Sequence, residues 1–176
     1  MADGFQFNDL LRAMMQRESG GNPMAVSQKG ATGLLQLRPE HAGDLYGSSA
    51  PSVFDVAREM GFDVPDESVK TAQGLLFDPE INWALGDPYM RDLLRSFGGN
   101  IDTALAAYNY GPDAMRKAIE AGQTVADMPK ETVDYVGHVR RLYKDATGLD
   151  LPDTIDTMQL TRPQRRPVRG LLSEGN

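Results

Sequence analysis

RESGGNPMAVSQKGATGLLQL, residues 17–37, sets one carboxylate, Glu18, at the end of an amphipathic pattern and follows it with glycine-rich polar text holding no further Asp or Glu. Upstream, Phe7, Leu10, Leu11, Met14 and Met15 recur at the three-and-four spacing of one buried helical stripe. Continued by one more step, that stripe arrives at Glu18. Gly20 and Gly21 then supply the stop expected just past a helix end. The acid therefore falls where a core residue belongs, at the rim where the helix finishes. Partial burial disfavours a charged carboxyl, and a glutamate so placed can hold a proton and act as a general acid. A solvated helix-end glutamate is the plainer alternative.

Outward from this stretch the pattern remains helical. Leu34, Leu35 and Leu37 form a small apolar knot interrupted by Gln36, and Pro39 is expected to open a short helix through about Tyr46. Val53, Val56, Ala57 and Met60 predict a helix ended by Gly61, and Pro65-Asp66 introduces another to about Leu76. Asp78-Pro79 pairs a capping residue with a first-turn proline and starts a long helix with stripe Leu85, Tyr89, Leu93 and Phe97. Pro88 inside it is expected to kink or divide it. Trp83 reads as a packing residue rather than a sugar platform. Asn100 or Asp102 can cap the next helix, through Ala104, Leu105 and Tyr108 to Tyr110. Pro112 starts another, with Met115, Ala118 and Ile119 inward. Lys130 to Thr147 places Val133, Val136, Val139 or Arg140, and Tyr143 on one face, with Gly148 closing it.

The chain has 176 residues, enough for one domain with a sizeable core. Its formal charge is −7, but residues 161–176 carry four Arg against one Glu. Setting them aside leaves 14 of the 18 basic and 24 of the 25 acidic residues, an acidic body that argues against nonspecific nucleic-acid binding by the fold itself, and no specific nucleic-acid partner is expected. With no cysteine there are neither disulfides nor thiolate metal sites. Two histidines far apart, His41 and His138, make a zinc site unexpected. No metal and no cofactor is called for. The opening MADGFQFNDLL lacks a basic region followed by an apolar run, so no signal peptide is expected, and no stretch is long and apolar enough to span a bilayer. After Leu149 the text turns proline- and arginine-rich, and residues 150–176 are expected to be a mobile tail or linker after a domain of residues 1–149.

Three separated motifs carry a resemblance: ESGGNP at 18–23, GATGLLQL at 30–37 and ALAAYNYGP at 104–112. Together with FDPEINWALGDPYMRDLLRSFGGN at 77–100 and ETVDYV at 131–136, they resemble the soluble lytic transglycosylase (SLT) family, related in fold to goose-type lysozyme. The resemblance implies an all-α, lysozyme-like helical domain. It matches Glu18 to the family's catalytic glutamate, and Ser27 and Gln36 to polar residues lining the sugar site beside it. Tyr108 and Asn109 match the aromatic and amide that flank the cleft, and Tyr135 matches a tyrosine reaching the acid from the last helix. Capping, packing or structural hydrogen bonding is the alternative role at each position.

The implied substrate is the peptidoglycan glycan strand, cut at the β-1,4 bond between N-acetylmuramic acid and N-acetylglucosamine to leave a 1,6-anhydromuramyl end. Most glycoside hydrolases use two carboxylates; here the substrate's own C6 hydroxyl serves as the nucleophile, so one acid suffices. The alternatives are a muramidase-type hydrolase and an inactive glycan-binding or structural virion domain. With no export segment expected, the implied setting is a phage particle opening the cell wall during genome delivery, with the tail as a possible link to a virion partner or a fused domain. The sequence departs from the family at Leu35, where Met is usual, at Arg38, usually apolar, and at Tyr110, usually small. Its stretch from 43 to 76 is a longer, helical insertion, which leaves substrate length preference open.

Overall fold

The computed structural model of the chain describes residues 4–160. Among these residues there are seven α-helices and no strands: α1 (Phe7–Ser19), α2 (Val53–Glu59), α3 (Val69–Leu76), α4 (Pro79–Ser96), α5 (Ile101–Tyr110), α6 (Pro112–Glu120) and α7 (Lys130–Thr147). The all-α class is thus observed directly. None of these helices is long and apolar enough to cross a membrane. The described residues form two compact units, one of residues 4–17 with 90–160 and one of residues 18–89.

In the unit of residues 18–89, helix starts are set by side chains that accept otherwise unsatisfied backbone N–H groups. Ser52 accepts from Phe54 to start α2, Ser68 from Thr71 to start α3, and Asp78 from both Glu80 and Ile81 to start α4. Helix α2 packs on α3, and α3 on a 3-10 turn at Pro39–His41. Leu34, Leu35, Leu45, Val53, Leu76 and Leu85 are buried at its centre. The helix expected from Pro39 to Tyr46 shrinks to that single turn, and positive φ at Tyr46 and Gly47 marks the separate turn where it was expected to end. Helix α3 also starts later than Pro65, at Val69, where Ser68 caps it.

In the other unit, α5 packs on α6, α7 and a 3-10 turn at Val125–Asp127. Of the two candidates, Asn100 caps α5, its side chain accepting from Thr103 at 2.9 Å; Asp102 instead takes Arg140 Nε at 2.6 Å. Thr132, Tyr135, Val136, Val139 and Tyr143 form the buried face of α7. Val133, expected inside, is 37% exposed, and Ile119 of α6 is 43% exposed. Each lies one position off the stripe that faces the core, which runs through Thr132 and through Met115 and Ala118. Helix α4 passes Pro88 without interruption. The proline removes one N–H bond, while Leu85, Tyr89, Met90 and Leu93 around it are buried and hold their turns in place.

The expectation of a mobile segment from residue 150 fails for residues 151–160. Leu151 and Leu160 are buried, and the backbone pairs with the turn before α5, Ile101 N–H donating to Asp153 and Ile155 N–H to Gly99, both at 3.0 Å. A Cβ on Gly99 would lie 2.1 Å from the Ile155 carbonyl, so only glycine admits this approach. Arg140 donates to the Leu151 carbonyl and to Asp153, and Arg95 to the Leu160 carbonyl. These bonds fix a proline-containing stretch that has no periodicity of its own. The arginine-rich residues 161–176 lie outside the described residues.

Candidate functional site

Glu18 lies in the last turn of α1 and is half-buried, as its place on the stripe requires. The helix stops because Gly20 and Gly21 adopt φ of 61° and 79°, conformations that cost glycine little. Ser19 secures this end: its hydroxyl donates to the Leu34 carbonyl at 2.8 Å and accepts from Gly21 N–H at 3.2 Å. The residue after the acid is therefore bonded to the motif that contains Gln36.

That motif is a tight double turn. Val26 bridges Thr32, and Thr32 bridges Leu37 through bonds of 2.8 and 3.1 Å. Gln36 takes φ 49°, and its amide nitrogen donates to the carbonyls of Ala25 and Gly33 at 3.1 and 2.9 Å. Both amide hydrogens are thereby committed inward, so what Gln36 has left for a ligand is its carbonyl oxygen, an acceptor. Beneath the turn lies Asn82 of α4, fully buried. Its oxygen accepts from Leu35 N–H at 2.9 Å, and its nitrogen donates to the Thr32 and Leu76 carbonyls at 3.0 and 2.9 Å. A Cβ on Gly33 would meet that nitrogen at 2.2 Å and the Leu76 carbonyl at 2.3 Å, which explains the glycine of GATGLL.

Ser27 is exposed, and its hydroxyl accepts from Ala31 N–H at 3.0 Å, closing the loop on which it sits. Glu18, Ser27 and Gln36 all fall within residues 18–89. Tyr108, Asn109 and Tyr135 belong to the other unit. There Tyr108 and Asn109 are half-buried at the end of α5, and Thr132 Oγ donates to Asn109 Oδ1 at 2.9 Å. Tyr135 is 1% exposed, with the Arg17 guanidinium 5.5 Å from its ring centroid. Among the described residues no cluster of three or more His, Cys, Asp or Glu is placed to hold a metal ion.

Ser19, Asn82 and Thr132 are the residues that sequence reasoning missed. For Asn82 a signal existed. It precedes Leu85 by three and Tyr89 by seven, so it occupies the buried stripe of α4 just as Glu18 occupies that of α1. A polar residue on a core stripe has a partner to find.

The sequence profile of the family described as "Transglycosylase SLT domain" matches residues 7–129. The soluble lytic murein transglycosylase of Escherichia coli K12 is 33% identical over 135 residues, which cover 72% of this chain and 18% of that protein. The membrane-bound lytic murein transglycosylase C of Serratia proteamaculans is 31% identical over 124 residues, covering 66% of this chain and 30% of that protein. The chain thus spans less than a third of the length of either relative. Among solved structures, the 70 kDa soluble lytic transglycosylase of Escherichia coli aligns with a TM-score of 0.61 at 28% identity, over 85% of this chain and 23% of that one. A complex of the 70 kDa soluble lytic transglycosylase with bulgecin A aligns with a TM-score of 0.58 at 26% identity, over 84% and 23%. With a profile match over most of its length and the same lysozyme-like helical arrangement, the chain belongs to the transglycosylase SLT domain family.

Proposed function

We propose that the chain is a peptidoglycan lytic transglycosylase in which Glu18 is the single acid and base. The observation that carries this reading is the mounting of Glu18. A half-buried carboxyl ends α1, and the next residue is bonded to the turn that presents the Gln36 carbonyl. The relatives' names, murein transglycosylases, support the choice of substrate.

In the proposed reaction the Glu18 carboxylic acid gives its proton to the glycosidic oxygen as the bond from that oxygen to the muramyl anomeric carbon breaks. N-acetylglucosamine leaves as the alcohol. The Glu18 carboxylate then takes the proton of the muramyl C6 hydroxyl, whose oxygen bonds to the anomeric carbon and closes the 1,6-anhydro ring. Glu18 ends protonated and no water is consumed. Gln36 accepts from a donor on the sugar. Ser27, Tyr108, Asn109 and Tyr135 are assigned to glycan binding on the motif match alone.

Mass spectrometry of digested peptidoglycan tests the reading. Anhydromuropeptides are expected, whereas fragments with reducing muramyl ends would identify a hydrolase. Absence of fragments despite binding would identify a glycan-binding module. For the setting we propose wall opening by a phage particle during genome delivery, and proteomics of purified particles tests it.

A further inference from the structure

Among the described residues, two that are not glycine hold a positive φ, Gln36 at 49° and Tyr46 at 54°. The region is costly for any side chain with a Cβ and most costly for a bulky one, so each case calls for a compensation. For Gln36 it is the pair of amide bonds to Ala25 and Gly33. For Tyr46 it is ring contact: the His41 ring centroid lies 4.3 Å away, and the Tyr89 ring stacks at 5.8 Å.

The turn itself is built for display. Ser48 N–H donates to the Leu45 carbonyl at 3.0 Å across Tyr46 and Gly47, whose φ values of 54° and 68° match a type I′ turn. Asn, Asp or Gly ordinarily fills the place that Tyr46 takes. Asp44 accepts from Gly47 N–H at 2.8 Å and braces the turn. The result separates neighbours sharply: Leu45 is 1% exposed, Tyr89 3% and Tyr46 40%. An aromatic ring is thus held against two others at the surface, at the cost of backbone strain.

The surroundings narrow the ligand. Arg38 and Glu40 pair with each other through Arg38 Nε at 2.7 Å, and both charges act on the Tyr46 phenol with opposite signs. A cation would meet Arg38 and an anion Glu40, so neither is favoured. A neutral ring with an apolar C–H face and a rim of hydroxyls suits both parts, its face against the aromatic group and its hydroxyls on the ion pair.

We propose that Tyr46 is a stacking platform for a pyranose ring of the glycan strand, a binding position additional to Glu18, Ser27 and Gln36 and supplied by the turn at residues 45–48. The identity of the glycan rests on the transglycosylase reading above.

The test uses Tyr46→Asn, which suits the positive φ, and Tyr46→Phe, which keeps the ring. For a platform, Tyr46→Asn keeps or gains thermal stability while its affinity for long oligomers of N-acetylglucosamine falls about three- to tenfold. Its KM on peptidoglycan rises with kcat kept, and Tyr46→Phe binds like the wild type. Wild-type affinity in Tyr46→Asn overturns the proposal. A second measurement needs only the intact fold: the Tyr46 ring-proton signals, assigned by their loss in Tyr46→Phe, should shift as the oligomer is titrated into wild type. Signals unmoved at saturation, or no oligomer binding by wild type, overturn the proposal even if Tyr46→Asn fails to fold. Failure of wild type to release peptidoglycan fragments is a different result: it removes the transglycosylase reading, and the titration still reports on Tyr46.

Discussion

Residues 20–37 and residues 60–68 are both irregular connections within the same unit, and they are held in opposite ways. The first is bonded from inside. Asn82 makes three buried hydrogen bonds along or beside it, Ser19 ties its start to its end, and Gln36 closes it with two more. The second is exposed almost throughout and is held by local surface contacts, Arg58 with Glu67 at 2.7 Å and Thr71 with Asp66 at 2.6 Å. Buried polar bonds give a rigid surface because losing one leaves a desolvated group unpaired, whereas exposed groups exchange a lost partner for water. The candidate site residues Ser27 and Gln36 lie on the connection bonded from inside, and Glu18 leads into it.

The largest effect should come from Asn82→Ala. It removes the acceptor of the Leu35 N–H and the Asn82 donor from the Leu76 and Thr32 carbonyls, the latter keeping its bond from Leu37 N–H, and urea unfolding should show a loss of about 3–5 kcal/mol. A loss under about 1 kcal/mol would show that residues 20–37 are held no better than an ordinary surface loop. Gly33→Ala should follow, at about 1–3 kcal/mol, since its Cβ meets Asn82 and a backbone carbonyl and its φ is 81°.

The smallest effect belongs to the exposed connection. Hydrogen bonds from Ser68 and Thr71 hold the Asp66 carboxyl at about 2, below its ordinary 3.8. A depressed carboxyl contributes stability that is present above the unfolded value and is lost as pH falls through the folded one. The first turn of α3 should therefore stay protected through 3.8 and loosen only as pH approaches about 2, as read by amide exchange at Ser68 and Thr71. Loosening already at the ordinary carboxyl value would show that these bonds do not persist in solution.

Much of the helical frame was legible because its signals are local. Asp78-Pro79, Asn100 and the glycines after α1 and α4 mark ends through their own chemistry, and the stripe of α1 leads to Glu18 by spacing alone. What escaped was every contact made by a side chain to distant backbone. Asn82 reaches Thr32 across 50 positions and Leu35 across 47, and no periodicity records such a reach. Thr132 displaced Val133 from the inner face of α7 for the same reason, since its hydroxyl has a partner in Asn109. Residues 151–160 read as a linker because their order comes from Arg140, Arg95 and the backbone near Gly99. For the site, the motif match named six residues, whereas the groups that orient Gln36 and Asn109 emerged only in three dimensions.

The most direct test of a single catalytic acid is to compare wild type with Glu18→Gln on purified peptidoglycan, measuring soluble fragments and binding together. Loss of the one proton donor predicts a fall in fragment release of about a thousandfold or more, with glycan binding and thermal stability retained. Fragment release by Glu18→Gln at the wild-type rate would contradict the account, because the proton would then have to come from another group.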